Sequence, residues 1–334
     1  MTALQHLARK CEHLVTDMAL VIVPGRNVFL RRPGAVPDAG AMDIGIALPT
    51  MCRGYDRAAT VEWSRLADEG PVSSISCGER MTYHNPEMWT TMAAAAAVTE
   101  RVRIFANLSV LPAHPVPLVA KQAATIDVLS EGRFTLGVGV GGRGGDYRSL
   151  GADSERRHER LDRAVAELRS LWAGEPPFDG ADPVGPPCVQ PGGPPVLAGA
   201  LGPKSLARAA QWADGVVSFS VGGVPGEIAW SAEAARRAWT DADRTTPRLV
   251  SGCFYTLGIP DAEPILHSFT AEYLDFLGSG NATAAAAAMK TYDTDALHRT
   301  LDAAEAAGLD EFILVPGSAD RAVLDATLDL IAAR

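Results

Sequence analysis

Three short stretches of the 334-residue chain concentrate groups that could do chemistry. The first is Gly78-Glu79-Arg80-Met81-Thr82-Tyr83-His84. It brings a carboxylate, a phenol and an imidazole close together in sequence, and such groups pass protons in general acid–base catalysis. The second is GVGVGGRGGDY, starting at Gly137, in which Gly137, Gly139 and Gly142 fit Gly-x-Gly-x-x-Gly. A dinucleotide site needs the helix to open on the third glycine, with its amides on the pyrophosphate. Here the next helical pattern begins only near Asp153, and the first two glycines lie inside an apolar run. A glycine-lined strand, closely approached by a cofactor or a neighbouring strand, explains the run better. The third stretch, Gly199-Ala200-Leu201-Gly202-Pro203-Lys204-Ser205, is a small-residue loop turning into a helix start. Exposed amides and the helix dipole favour an anion there. An ordinary strand–helix turn accounts for the same residues equally well.

Composition narrows the chemistry further. The formal net charge is -10 and no basic run occurs. That argues against nucleic-acid binding, which requires neutralising phosphates. Cys11, Cys52, Cys77, Cys188 and Cys253 form no Cys-x-x-Cys pair, and none lies beside a histidine at metal-ligand spacing. No metal is expected, and the thiols read as reduced and mostly buried in a cytoplasmic protein. Cys77, at a strand end with no partner base, reads as core rather than nucleophile. No stretch reaches the ~20 apolar residues of a membrane span. Met18 to Val23 is a short apolar run without the cleavage pattern of a signal peptide.

These groups need a scaffold. From Met42 onward, short apolar or β-branched runs alternate with longer helical patterns. Strands are expected at Asp43–Leu48, Val72–Cys77, Arg103–Val110, Phe134–Val140, Pro195–Gly199, Gly215–Phe219, Leu249–Leu257 and Glu311–Val315. Helical patterns follow each one. They include Asp56–Gly70, a helix capped at Asn85-Pro86 and running to Glu100, Pro117–Leu129, and Asp153–Trp172 with an apolar face of Leu161, Val165, Leu168 and Trp172. Gly174 to Pro195 is a Pro/Gly-rich loop, and two helical patterns, Ala262–Leu277 and Asp295–Ala307, separate the last two strands. Eight strand–helix pairs, with strands apolar throughout, predict a (β/α)8 TIM barrel over 42–334. A doubly wound open sheet is the rival. Residues 1–41, with weak periodicity and a Pro/Gly/Ala stretch from Arg31 to Ala41, read as an N-terminal extension of uncertain role. In a barrel, the three chemical stretches all fall on loops after strands, where barrel active sites lie.

The residues also carry a resemblance. VTERVRIFANLSVLPAHPVPLVAKQAATIDVLSEGRFTLGVGVGG, from Val98 to Gly142, resembles the bacterial luciferase-like monooxygenase superfamily, especially its branch dependent on the deazaflavin coenzyme F420. DYRSLGA, LDRAVAELRSLW, PPVLAGALGPKSLARAAQWADGVV and LDAAEAAGLDEFILVP extend the resemblance over nearly all of the chain from Met42. It implies a luciferase-like barrel with the cofactor ring across its top and the phosphate on loop amides. It also implies a bulge in strand three behind the ring, often with a non-prolyl cis peptide, at Asn107-Leu108-Ser109-Val110. By the same matching, Val140, Gly141, Gly199, Ala200, Gly202, Pro203 and Lys204 approach the cofactor, and a homodimer is implied.

The acid–base position departs from the family pattern. Many relatives carry an Asp-His or similar pair after strand two, where this chain has Glu79-Arg80, with Tyr83 and His84 nearby. Some deazaflavin relatives place a glutamate after strand four, where this chain has no carboxylate before Asp146. The expectation is that Glu79 hydrogen-bonds cofactor or substrate and that His84 or Tyr83 donates the proton. The competing reading of Glu79-Arg80 is a local ion pair. His114, between prolines, reads as structural. Arg143, Arg148 and Lys204 either face the anionic tail of the cofactor or are solvated loop charges. The expected reaction is hydride transfer between coenzyme F420 and a small-molecule substrate. The alternatives are a monooxygenase using reduced FMN and a non-catalytic flavin-binding barrel.

Overall fold

Parallel strands covered by helices on the outside and side chains on the inside are buried on both faces, and these are buried along most of their length, chiefly through apolar side chains. The computed structural model describes residues 18–23, 26–31 and 42–334. Within 42–334, β1 (Asp43–Ala47), β2 (Ser74–Cys77), β3 (Arg103–Ser109), β4 (Phe134–Val138), β5 (Val196–Gly199), β6 (Gly215–Val217), β7 (Arg248–Tyr255) and β8 (Glu311–Pro316) form one closed barrel. Every neighbouring pair is parallel. Closure is made by β8 against β1, with Glu311 opposite Asp43 and Leu314 opposite Ile46. That pairing rules out the open sheet. In the N-terminal unit, Met18–Val23 pairs antiparallel with Arg26–Arg31. Cys11 and most of the Pro/Gly/Ala stretch lie outside the described residues.

The helices are α1 (Arg57–Glu69), α2 (Met88–Ala97), α3 (Val116–Leu129), α4 (Gly144–Ser149), α5 (Arg157–Trp172), α6 (Pro203–Ala209), α7 (Pro225–Asp241), α8 (Ala262–Leu274), α9 (Ser279–Ala287), α10 (Thr294–Ala306) and α11 (Arg321–Ala332). Among these, no helix is long and apolar enough to cross a membrane. Asp56 caps α1 by accepting from the Ala59 amide at 3.0 Å. The cap of α2 is Glu87 rather than Asn85: its carboxylate accepts from the amides of Trp89 (3.0 Å) and Thr90 (2.7 Å). The Asn85 amide is turned to the Pro86 carbonyl instead.

Inside the barrel, Ala47, Phe105, Leu197, Val217, Val250 and Ile313 interlock as a dry layer. Below it, at the N-terminal ends of the strands, the buried Glu311 carboxylate accepts from Ser73 Oγ (2.8 Å), Ser74 Oγ (2.5 Å) and the Arg248 guanidinium (2.7 Å). Burial pushes its pKa up, but Arg248, the serine hydroxyls and Arg103 outweigh that and hold it below the usual carboxylate range. On the outside, the fully buried Asp127 of α3 accepts from the amides of Val189 (2.7 Å) and Gln190 (3.0 Å) and from Gln190 Nε2 (2.7 Å). One carboxylate thereby pins the end of the Pro/Gly-rich loop, which has no ladder of its own. Buried carboxylates thus tie down the floor and the outer loop, and barrel active sites lie at the opposite, C-terminal mouth.

Candidate active site

The mouth is shaped first by β3. Its register against β4 runs to Ala106 opposite Leu136 and resumes at Ser109 opposite Val138, so β3 carries one extra residue. The Asn107–Leu108 peptide is cis. Asn107 and Leu108 are part-exposed between the buried Ala106 and Ser109. Leu108 explains the neighbouring glycines. A Cβ on Gly139 would lie 2.9 Å from Leu108 Cδ1, and one on Gly199 would overlap Leu108 Cδ2. Gly141, at φ +61°, would place a Cβ 2.9 Å from Val110. The glycine run therefore ends a barrel strand and makes room for a neighbouring side chain. What it leaves at the mouth is an apolar shelf of Leu108 and Val140, both part-exposed.

Glu79 follows β2 and reaches across to β3. Its side chain is only 4% exposed. Oε2 accepts from the Val110 amide at 2.6 Å and from Ser109 Oγ at 3.2 Å. Oε1 lies 2.5 Å from His114 Nε2. A carboxylate only accepts, so Nε2 is the donor, and in the neutral imidazole Nδ1 is left with a lone pair. His114 also lines a cavity of about 480 Å³ with Pro115, Leu150, Asp153, Arg156 and Arg160. Glu79 and His114 are thus a pair, 35 positions apart in sequence. Sequence reasoning took His114 as structural. No local signal joins it to Glu79; only the parallel adjacency of β2 and β3 does.

Arg80 makes no ion pair with Glu79. It turns the other way and donates through Nη2 to the Tyr273 carbonyl at 2.7 Å. Its guanidinium lies 3.6 Å from the Tyr273 ring centre, 4.8 Å from that of Tyr83 and 5.4 Å from that of Phe276. Tyr83 packs against His84, ring centres 4.1 Å apart. Burial, then the Glu272 carboxylate, push the Tyr83 phenol up to about 12, so it stays a neutral donor. His84 Nε2 is 3.2 Å from the Met51 carbonyl, and Nδ1 is 3.9 Å from Glu272. The structure therefore separates the sequence-predicted acid–base residues. Glu79 belongs with β3, while Tyr83 and His84 belong to an aromatic wall shared with α8.

The loops after β2 and β4 are tied together by Asp146 of α4, which accepts from the amides of Met81 (3.3 Å) and Thr82 (2.9 Å) and from Thr82 Oγ1 (2.7 Å). Arg143 pairs with Asp146 at 3.4 Å, while Arg148 and Lys204 are exposed. Tyr147 donates to the Val140 carbonyl at 2.7 Å, fixing the shelf from behind. After β5, Ala200 donates to the Val217 carbonyl. Ser205 Oγ is spent within its own turn, accepting from the Gly202 amide and donating to the Gly202 carbonyl. Gly202, Pro203 and Lys204 lie at the mouth, with open space where a Gly202 Cβ would stand. Burial pushes the Cys77 thiol up to about 12, and its Sγ sits 3.5 Å from Thr50 Oγ1, so it is an unreactive core group.

A closed (β/α)8 barrel with fixed polar groups and an apolar shelf at its C-terminal mouth defines a barrel enzyme. The chain belongs to the luciferase-like monooxygenase family, whose family model matches residues 42–330. This membership sets aside the non-catalytic barrel. Pyrimidine monooxygenase RutA of Acinetobacter baylyi is 41% identical over 103 residues, which are 29% of this chain and 28% of that protein. RutA of Pantoea ananatis is 40% identical over 94 residues, 27% of this chain and 26% of that protein. The matched stretch thus spans under a third of these curated relatives. Among solved structures, an F420-dependent secondary alcohol dehydrogenase in complex with an F420-acetone adduct superposes with a TM-score of 0.70 at 18% identity, covering 87% of this chain and 98% of that one. The FMN complex of the oxygenating constituent of 3,6-diketocamphane monooxygenase from Pseudomonas putida gives 0.63 at 18% identity, covering 87% and 97%. At such identities these likenesses show the fold alone.

Proposed function

We propose that the barrel binds coenzyme F420 across its C-terminal mouth and transfers a hydride between it and a small organic substrate. The observation that carries this is the Glu79–His114 pair beside the β3 bulge. Oxidising an alcohol by hydride transfer requires a base for the hydroxyl proton, and an imidazole aligned by a buried carboxylate is such a base. The residues present fit a flat tricyclic ring: Asn107, Leu108 and Val140 offer a part-exposed shelf, with the Gly141 and Ala200 backbone alongside. Gly199 belongs to the same bed by accommodating Leu108. Gly202, Pro203 and Lys204 supply the open turn and the cation for an anionic tail. When bound, the deazaflavin supplies the hydride chemistry.

The protein's own part follows from the geometry. His114 holds or returns the substrate proton at Nδ1, the nitrogen not committed to Glu79. Glu79 is a positioning residue, fixing the tautomer and ring plane through three hydrogen bonds. Tyr83 and His84 serve the substrate side. The reading takes the enzyme as a metal-free, cytoplasmic homodimer.

A reduced-FMN-dependent monooxygenase is the second reading. The similarity to RutA, a pyrimidine monooxygenase, favours it. Anaerobic titration of the purified full chain with oxidised and reduced coenzyme F420 and FMN separates the two. Saturable binding of coenzyme F420 is expected. Tight binding of FMN with no affinity for the deazaflavin would overturn the first reading in favour of the second.

A further inference from the structure

The segment between β7 and α10 is rooted on β7, where Phe254 packs against Phe269 and Tyr273 of α8 with ring centres 5.1 and 5.0 Å apart. Around the barrel, β7 is separated from β2 by β8 and β1, and from β4 by β6 and β5. Yet the far end of α8 and the turn after it meet the loops that follow both of those strands. The Tyr273 carbonyl accepts from Arg80, after β2. The ring of Phe276 lies 3.4 Å from where a Gly142 Cβ would stand, after β4. Glu272 also pairs with Arg53, after β1. A segment rooted on β7 that meets all three loops reaches across the mouth.

Beyond its root, this segment buries little that would hold it down. The turn Asp275–Leu277 buries no residue, and α9 buries only Ala282 and Ala286. Phe276 and Leu277 are 43% and 51% exposed. A cavity of about 530 Å³ is lined by Tyr83 and Arg143 on the loop side and by Glu272, Phe276, Ser279 and Thr283 on the segment, so the two sides are incompletely packed. Few buried apolar contacts mean low local stability. The Arg53–Glu272 pair lies in solvent and adds little.

Arg80 is the exception. It is 7% exposed and pairs with no carboxylate among the described residues. It binds the segment instead: Nη2 donates to the Tyr273 carbonyl at 2.7 Å, and the ring centres of Tyr273 and Phe276 lie 3.6 and 5.4 Å from the guanidinium carbon. A charge-assisted hydrogen bond joined to cation–π contacts, away from water, is a strong tie. One cost opposes it. Nη1 is buried with no hydrogen-bond partner, a penalty relieved once the segment lifts and water reaches it. We propose that Arg80 is a positioning residue that latches residues 272–287 over the barrel mouth, and that its release opens the way for the cofactor. The latch stands on the geometry alone, while the admission of cofactor rests on the proposed redox function.

The test is hydrogen–deuterium exchange of the full chain, together with stopped-flow binding of coenzyme F420 and of FMN. α9 has 9 residues, too few to persist as a helix unsupported, so its amides report release of the segment. In Arg80→Met they are expected to exchange about 10- to 100-fold faster, the effect of losing a charge-assisted hydrogen bond and its ring contacts, while β3 and α3 stay within about threefold of wild type. Association and dissociation of the cofactor are both expected to quicken about 3- to 30-fold. Arg80→Lys keeps the charge without the planar fork and should fall between wild type and Arg80→Met, which keeps the test decisive if the methionine variant does not fold. Phe276→Ala, at an exposed position, should quicken the same amides about 2- to 5-fold. Unchanged exchange in α9 overturns the proposal. So does an equal rise throughout the barrel, which would assign Arg80 to global stability. Local loosening with unchanged cofactor rates would leave Arg80 a structural tie and overturns the gate. Failure of wild type to bind either cofactor would remove the redox reading and the admission step with it, while exchange still decides the latch.

Discussion

Replacing Glu79 tests the site at its centre. In Glu79→Ala, three donors lose one shared acceptor: the Val110 amide at 2.6 Å, His114 Nε2 at 2.5 Å and Ser109 Oγ at 3.2 Å. Val110 is 7% exposed and Ser109 is fully buried, so water replaces the carboxylate poorly. Counting about 1.5 kcal/mol for each short bond and about 0.5 for the hydroxyl, which can rotate away, gives a loss of about 3.5 kcal/mol of stability. Glu79→Gln separates stability from function. Its carbonyl oxygen can still accept from Val110, but its amide NH₂ then faces His114 Nε2. The imidazole must present a lone pair there and carry its proton on Nδ1. The folded variant is expected to lose only about 1–2 kcal/mol, while turnover falls about 10²- to 10⁴-fold because the base is now blocked by a proton. Long-range ¹⁵N–¹H correlation spectra of the histidines read the tautomer directly: Nε2–H in wild type and Nδ1–H in the variant. An unchanged His114 tautomer together with turnover within threefold of wild type would refute the reasoning.

Three further outcomes are expected. Asp127→Ala removes three acceptor bonds from a fully buried position and should lower urea-unfolding stability by about 3–4 kcal/mol; a loss below 1 kcal/mol contradicts the assigned pinning role. Glu311 has a folded pKa held below its unfolded value of about 4.3. Its contribution is therefore present above that value and lost as pH falls through the folded one. Glu311→Gln should be less stable at pH 7 and show a flatter melting-temperature profile below about pH 4; parallel profiles would show that the carboxylate does not supply that slope. Gly199→Ala should cost about 1–3 kcal/mol by crowding Leu108. In a Leu108→Ala background most of that cost should vanish, and additive losses in the double-mutant cycle would exclude the contact.

Much of the scaffold is legible in the sequence, for reasons that can be named. Most barrel strands read as mainly apolar runs, because both of their faces are covered; β2, Ser74–Cys77, is the weak one. The Asp56 start and Gly70 stop of α1 are local chemistry. Two helices escape this reading. α4 begins on Gly144-Gly145, whose low propensity hides a short helix held by the Asp146 and Tyr147 contacts. α9 is a run of small residues that buries only Ala282 and Ala286, so no apolar period marks it. The glycine run is legible as strand rather than dinucleotide loop, but its partner Leu108 is not, since that contact crosses between strands.

The chemical stretch that begins at Glu79 illustrates the division between sequence and fold. By itself the sequence determined which segments reach the barrel mouth, because alternating patterns and strand-end positions are local properties. It also determined the residue types available there: a carboxylate, a guanidinium, a phenol and two imidazoles. Tertiary structure alone decided how they are grouped. Adjacent in sequence, Glu79 and Arg80 turn in opposite directions, one to His114 of the segment after β3 and the other to Tyr273 of α8. The physical reason is that a buried charge must find its partners in three dimensions, and barrel closure sets which loops lie within reach of one side chain.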